Sequence, residues 1–225
     1  MLVRRVLMIG LLVGLAGSTA KADLIITGVV DGPLSGGVPK AIEFYATSDI
    51  PDLSLYGFGS ANNGGGSDGQ EFTFAGSASA GDFLYLASES TGFQNFFGFS
   101  PTFTSGAAGI NGDDALELFM NDSVIDVFGD INTDGSGEAW EYTDGWAYRL
   151  SETGPDGTLF AVGNWTLSGP DALDGESSNA TAASPVPFGT FTTTPVPDPS
   201  SLALAIFGAT GGVSRYRRRK AKAAA

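Results

Sequence analysis

Apolar residues in this chain fall into short runs of strand length, separated by turns rich in glycine, asparagine and aspartate. Residues 24–30 form an almost continuous apolar run, and Asp31, Gly32 and Pro33 read as the turn that closes it. Over 40–45 the pattern alternates, placing Ile42 and Phe44 on one face of a strand and Glu43 on the other. Further strands are predicted over 53–58, 71–74, 82–87, 115–119, 123–128, 146–150 and 160–162, with 188–191 as a last edge strand. Met120-Asn121-Asp122 reads as a tight hairpin turn, and 61–69 as a loop without core-forming residues. One segment departs from this rhythm. Phe93, Phe96, Phe97 and Phe99 are spaced like the apolar face of a short helix over 91–99. Short strands at this spacing predict an all-β body, a β-sandwich, with no internal repeat.

The two ends follow other patterns. Met1 to Arg5 is basic, 6–16 is apolar, and Ala20-Lys21-Ala22 is a small-x-small site. This reads as a secretory signal helix whose cleavage site is marked by Ala20 and Ala22, with Asp23 as the mature start. At the other end Pro197-Asp198-Pro199 precedes an apolar run, 202–213, and then Arg215, Arg217, Arg218, Arg219 and Lys220. The prolines end preceding structure, the apolar run can enter a bilayer, and the cations stay on its cytoplasmic side. As a helix the run spans roughly 18 Å, against about 30 Å of bilayer core. Gly208, Gly211 and Gly212 weaken it further. Transient or partial insertion suits this length better than a permanent anchor; a helix docked on a soluble body is the plainer alternative. The expected division is 1–22 signal peptide, 23–191 β-sandwich, 192–200 linker with the proline motif, and 201–225 apolar segment and basic tail.

That C-terminal order of parts resembles the PEP-CTERM sorting signal of Gram-negative bacteria, with Asp198 where the family usually has Glu. The resemblance implies recognition of Pro197, Asp198, Pro199 and the Arg217, Arg218, Arg219 cluster by an exosortase that removes the tail. It also implies delivery through the inner membrane to the outer surface or extracellular matrix, with exopolysaccharide as a companion. The body in turn resembles the bacterial extracellular form of the lamin-tail domain. The matching blocks are 24–32, Lys40-Ala41-Ile42-Glu43-Phe44-Tyr45, 81–84, Asp113-Asp114-Ala115-Leu116-Glu117-Leu118, 125–129 and Asp144-Gly145-Trp146-Ala147-Tyr148-Arg149. They span roughly 23–165, although Gly28 stands where that family often has Glu. This resemblance implies an immunoglobulin-like β-sandwich, usually a non-catalytic appendage.

Charge narrows the partners. The chain carries 25 Asp and Glu against 11 Lys and Arg, and within 23–196 the basic residues are Lys40 and Arg149 alone. Such a body repels phosphate backbones and anionic membranes, which excludes nucleic acid, and it favours divalent cations. Each of the two cations is expected to pair with a nearby carboxylate, Glu43 and Asp144 being the candidates. There is no Cys to staple the exported domain and no His. Ser-His-Asp and Cys-His chemistry and histidine-ligated zinc are therefore ruled out. A carboxylate pair for glycoside hydrolysis remains open, but no pair stands out, so the chain reads as not an enzyme.

Two constellations remain. Residues 130–141 satisfy the calcium-loop pattern D-x-[DN]-x-[DN]-G-x5-E, with Asp130, Asn132, Asp134, Ser136, Glu138 and Glu141 as the candidate ligands and Gly135 at the sharp turn. Gly137 stands where an EF-hand has an apolar residue, and no flanking helices are evident, so a lone calcium loop competes with an ordinary solvated turn. Trp140, Tyr142, Trp146 and Tyr148 could stack on sugar rings or belong to the core. The reading is an exported, non-catalytic surface or matrix protein. A glycan-binding module is the alternative, and a hydrolase with a carboxylate pair a weaker one.

Overall fold

In β1 (Leu24–Leu34) nine successive residues are buried, so both faces of the strand are covered. Leu24, Ile26 and Val29 enter one apolar cluster, while Ile25 and Val30 enter another. The change from even to odd positions requires an extra residue in the strand. It is Thr27: against β2 (Val38–Ala46), Ile26 pairs with Phe44 and Gly28 with Glu43, leaving Thr27 unopposed in a β-bulge. The computed structural model describes residues 22–193. Of the expected signal segment, Ala20 and the rest of 1–21 lie outside the described residues, while the Ala22 carbonyl accepts from Thr47 Oγ1 at 2.9 Å. Pro197, Asp198, Pro199, Arg217, Arg218, Arg219 and the expected sorting helix also lie outside the described residues.

The chain continues through β3 (Tyr56–Ala61), β4 (Phe72–Thr73), β5 (Phe83–Ala87), α1 (Ser90–Phe97), β6 (Phe103–Thr104), β7 (Ala115–Met120), β8 (Ser123–Phe128), β9 (Trp146–Arg149) and β10 (Trp165–Leu167). One sheet has six strands in the order β10-β9-β1-β2-β5-β6, and the other has four, β4-β3-β7-β8. Neighbours are antiparallel except β5 and β6. Between the sheets Val29, Ile42, Phe44 and Leu86 pack with Phe58, Leu116, Leu118 and Phe128. The outer face of the six-stranded sheet is covered by Phe93 and Phe96 of α1 and by Leu173, Val186 and Phe191. A strand buried on both faces reads as an uninterrupted apolar run, which is what 24–30 shows. The architecture is thus all-β, two facing sheets with one short helix, as the strand pattern predicts. Phe191 closes the compact unit to which all the strands belong. Among the described residues no helix is long and apolar enough to cross a membrane.

Helix α1 forms where the phenylalanine spacing places it. Glu89 caps it by accepting from the Gly92 and Phe93 amides, and Gly98, at φ 81°, ends it. The hairpin between β7 and β8 turns on Asn121 and Asp122, both at positive φ, as a two-residue turn demands. Elsewhere boundaries move. Asp31-Gly32-Pro33 does not end β1: Asp31 pairs with Lys40 across the hairpin, and the chain turns later, at Gly36 and Gly37 with φ 96° and 66°. Residues 53–55 form a 3-10 turn capped by Asp52, so β3 starts at Tyr56 and runs into the expected loop. The late strand forms at 165–167 rather than 160–162, where it reaches Arg149 of β9, and β6 was not expected. Residues 188–191 are not a strand, because their amides turn towards side chains instead of a neighbouring ladder.

A buried ion pair joins the sheets. Asp126 of β8 stands opposite Leu118 on the inner face, inside the apolar layer. Arg149 of β9 donates from Nη2 to both its oxygens, at 2.8 and 2.9 Å. Arg149 Nε also donates to the Ile26 carbonyl at 2.6 Å, while the Ile26 amide donates to Asp126 at 2.9 Å. These are backbone groups beside the Thr27 bulge, where β1 has not yet met β9. Asp156 adds a second carboxylate 3.2 Å from Nη1, and the Trp165 ring lies 4.5 Å from the guanidinium carbon. The expected partners are thus corrected: Arg149 takes Asp126 and Asp156, and Lys40 takes Asp31 at 2.8 Å. Strand parity explains the second case, since Lys40 and Glu43 are three apart and point to opposite faces.

Replacing Arg149 by Ala leaves two buried carboxylates without their cation. Urea unfolding is expected to show a loss of roughly 3–5 kcal/mol. Gly154→Ala is expected to be destabilising by the same assay, because a Cβ there, at φ +85°, would lie 2.4 Å from Arg149 Nη1.

Candidate functional site

The 130–141 loop follows β8 and is held by its own side chains. Asp130 accepts from the Asn132 amide at 3.0 Å and from Thr133 Oγ1 at 3.0 Å. Asp134 accepts from the Ser136 amide at 3.0 Å, and Ser136 Oγ donates to Asp113 at 3.1 Å. Glu141 accepts from the Gly137 amide at 2.7 Å and from Thr143 Oγ1 at 3.0 Å. Aspartates that accept from amides two residues on are the local turns this composition favours. The loop's carboxylates do not converge on one point in this arrangement. Among the described residues, three carboxylates whose oxygens lie within 4.8 Å of one another occur at Asp144, Asp171 and Asp174. Burial first, and then the carboxylates of Asp31, Asp174 and Asp171, raise Asp144 above its ordinary range.

Several of the sequence candidates do share one recess. Asp130, Asn132, Glu138 and Trp140, with Leu159 and Phe160 opposite, line a cavity of about 450 Å³. Leu159 is 79% exposed at its mouth. The recess offers apolar walls and a rim of carboxylates and the Thr158 hydroxyl. The four aromatic residues that could stack on sugars belong to the core: Trp140 is 5% exposed, Tyr142 0%, Trp146 8% and Tyr148 6%. Trp140 and Tyr142 pack on Phe128, and the Tyr142 hydroxyl donates to the Asp114 carbonyl at 3.1 Å. Their ring faces are spent on neighbours.

A second buried polar cluster lies on the outer face of the six-stranded sheet, around Glu43. Glu43 Oε1 accepts from Thr27 Oγ1 at 2.7 Å and from the Tyr148 hydroxyl at 2.8 Å. The Gly189 amide donates to Oε2, and Tyr85 also bonds the carboxyl. Alternation alone placed Glu43 away from Ile42 and Phe44, which suggests solvent, yet it is fully buried. Only the second layer, α1 and residues 173–191, makes that face an interior. Burial outweighs the four donors and pushes the carboxyl up to about 7. Burial and the adjacent Glu43 also push the Tyr85 and Tyr148 phenols up, so both remain protonated donors.

Comparison with protein-family models, with curated proteins and with solved structures gave no match. The clusters stand on their own geometry.

Glu43 makes stability depend on pH in a defined direction. Its folded-state pKa is raised above the ordinary 4.5, so its contribution is complete below about pH 4.5 and is lost as the pH rises to about 7. Across that window the chain is expected to lose roughly 3 kcal/mol that Glu43→Gln does not lose, measured as the difference between their urea midpoints at each pH. Asp130→Ala is expected to cost about 1 kcal/mol in chelator, since it removes the turn that starts the 130–141 loop.

Proposed function

We propose that this chain is an exported, non-catalytic surface or extracellular-matrix protein of a Gram-negative bacterium. Its body is proposed to be a lamin-tail-like, immunoglobulin-like β-sandwich, with a cleaved signal peptide before it and a PEP-CTERM-type signal after it. The observation that carries the reading is the pairing of two unlike ends in one sequence. A basic, apolar, small-residue start and a Pro-Asp-Pro, apolar, basic finish enclose a body whose basic residues are Lys40 and Arg149 alone. The fold assignment draws support from where the resembling blocks fall: 24–32 in β1, 40–45 in β2, 115–118 in β7, 125–128 in β8 and 146–149 in β9. The non-catalytic reading draws support from chemistry. Both cations are committed to carboxylates, so neither is left to stabilise a developing anion.

Calcium at the 130–141 loop is a separable part of the proposal. Binding there requires Asp130, Asp134 and Glu141 to exchange their backbone donors for the ion. Calorimetric titration with calcium checks it. A saturable heat with a raised melting temperature supports the site, whereas no heat and no effect of chelator remove calcium and leave the rest standing.

Sorting is tested in a bacterium that contains an exosortase. The chain is expected to lose its C-terminal tail, seen by intact mass, and the Pro197→Ala, Pro199→Ala double variant to retain it. An identical product from both would show that the proline motif is not what is recognised. Recovery of the full-length, unclipped chain from the cytosol would overturn the export reading altogether.

A further inference from the structure

We propose that residues 187–191 form a proton-latched strap, closed over the outer face of the six-stranded sheet while Glu43 is protonated and lifted locally when Glu43 ionises. The inference does not depend on the export reading.

The strap has no ladder partner. Its amides are held by two side chains. Gly189 N–H goes to Glu43 Oε2, while Thr190 N–H and Phe191 N–H go to the Tyr148 hydroxyl, at 3.1 and 2.8 Å. With both acceptor positions of that hydroxyl in use, its proton points to Glu43 Oε1. All three amides thus depend on one carboxyl, directly or through one tyrosine. The segment before the strap is pinned independently. Asn179 bonds both the amide and the carbonyl of Val186, at 2.7 and 2.9 Å, and Trp146 Nε1 donates to the Ser184 carbonyl at 2.9 Å. Lifting can therefore be confined to the residues after Val186.

Phe188 is the seal. It stacks on Phe97 at 5.0 Å and lies 5.6 Å from Tyr85, and Phe191 meets Tyr45 at 5.2 Å. Gly28 makes the space, because a Cβ there would lie 2.6 Å from the Phe188 ring. No cation faces the enclosed carboxyl from any packed element. β1 presents Thr27 and Gly28, β5 presents Tyr85, and β9 presents Tyr148. Helix α1 carries no charged residue, and neither does the strap. Lys40 and Arg149 are engaged elsewhere, with Asp31 and with Asp126.

Ionisation therefore places a charge met by neutral donors but by no cation in an enclosure whose burial outweighs those donors, so the charged form is favoured where water reaches it. Water enters where attachment is weakest. The strands are held by ladders on their neighbours and the strap by three bonds, so the strap opens first. A carboxyl raised to about 7 puts that opening in the neutral range. Tyr85 and Tyr148 stay protonated throughout, so the transition belongs to one group.

Hydrogen–deuterium exchange of the full chain, corrected for the intrinsic effect of pH, tests this on fragments covering 184–191, with 115–128 as the internal reference. From about pH 5.5 to about pH 8.5, protection of the strap is expected to fall at least about tenfold while the reference holds. Glu43→Gln is expected to abolish the fall. Constant protection, protection that rises with pH, or an equal fall in Glu43→Gln overturns the proposal. Should that variant not fold, the carbon-13 carboxyl resonance of Glu43 in the unaltered chain decides. A midpoint within about one unit of 7 supports the latch, and one at or below about 4.5 overturns it.

Discussion

The contact between Arg149 and Asp126 is the constraint to which the rest of the molecule adjusts. An aspartate on the inner face of β8 and an arginine on the inner face of β9 meet in the layer that should hold only hydrocarbon. Neither keeps measurable contact with water: Asp126 is 0% exposed and Arg149 1%. Isolated, either charge would be prohibitive there, and together they add little net stability over an apolar pair. What they add is register. Arg149 reaches the Ile26 carbonyl only because Thr27 is bulged out, and Asp126 takes the Ile26 amide left open on the same side. The pair therefore sets where β1 changes phase and how the two sheets face one another. The loop that supplies Asp156 and the ring of Trp165 complete the enclosure.

That phase change has a consequence on the far side of the sheet. With Val29 turned inward, Gly28 and Val30 face outward beside Tyr148 and Trp146. Gly28 makes room for Phe188, and Thr27 supplies a hydroxyl to Glu43. One bulge thus serves two polar centres, the ion pair between the sheets and the enclosed carboxyl outside them. The two differ in kind. Asp126 has its cation beside it and cannot escape, whereas Glu43 has only neutral donors and lies under a segment that no ladder secures. A charge with a partner gives rigidity; a carboxyl without one responds to protons.

Much of this was legible in the residues. The phenylalanine spacing gave α1, the alternation of Ile42 and Phe44 gave their inner face, and Asn121-Asp122 gave a two-residue hairpin. The candidate loop was legible as a pattern but not as a geometry. Asp130, Asp134 and Glu141 sit at ligand spacing, yet each oxygen is also within reach of a nearby amide. Spacing cannot tell which of the two an oxygen will take. Trp140 and Trp146 posed a similar ambiguity, since an aromatic ring suits a core and a sugar surface equally. Glu43 was misleading for a sharper reason: period-two alternation specifies a face, and says nothing about whether a second layer will cover it.

Local chemistry by itself determined the all-β character, the short helix, the acidic body with two cations and the unlike ends, because each rests on neighbours a few residues apart. Contacts between residues far apart in the chain decided the rest. Arg149 takes Asp126 and not Asp144, Lys40 takes Asp31 and not Glu43, and residues 188–191 cover a sheet face instead of extending its edge. Each of these choices is made by burial. A polar group removed from water must bond whatever the fold brings to it, and that neighbour is known only once the sheets have closed.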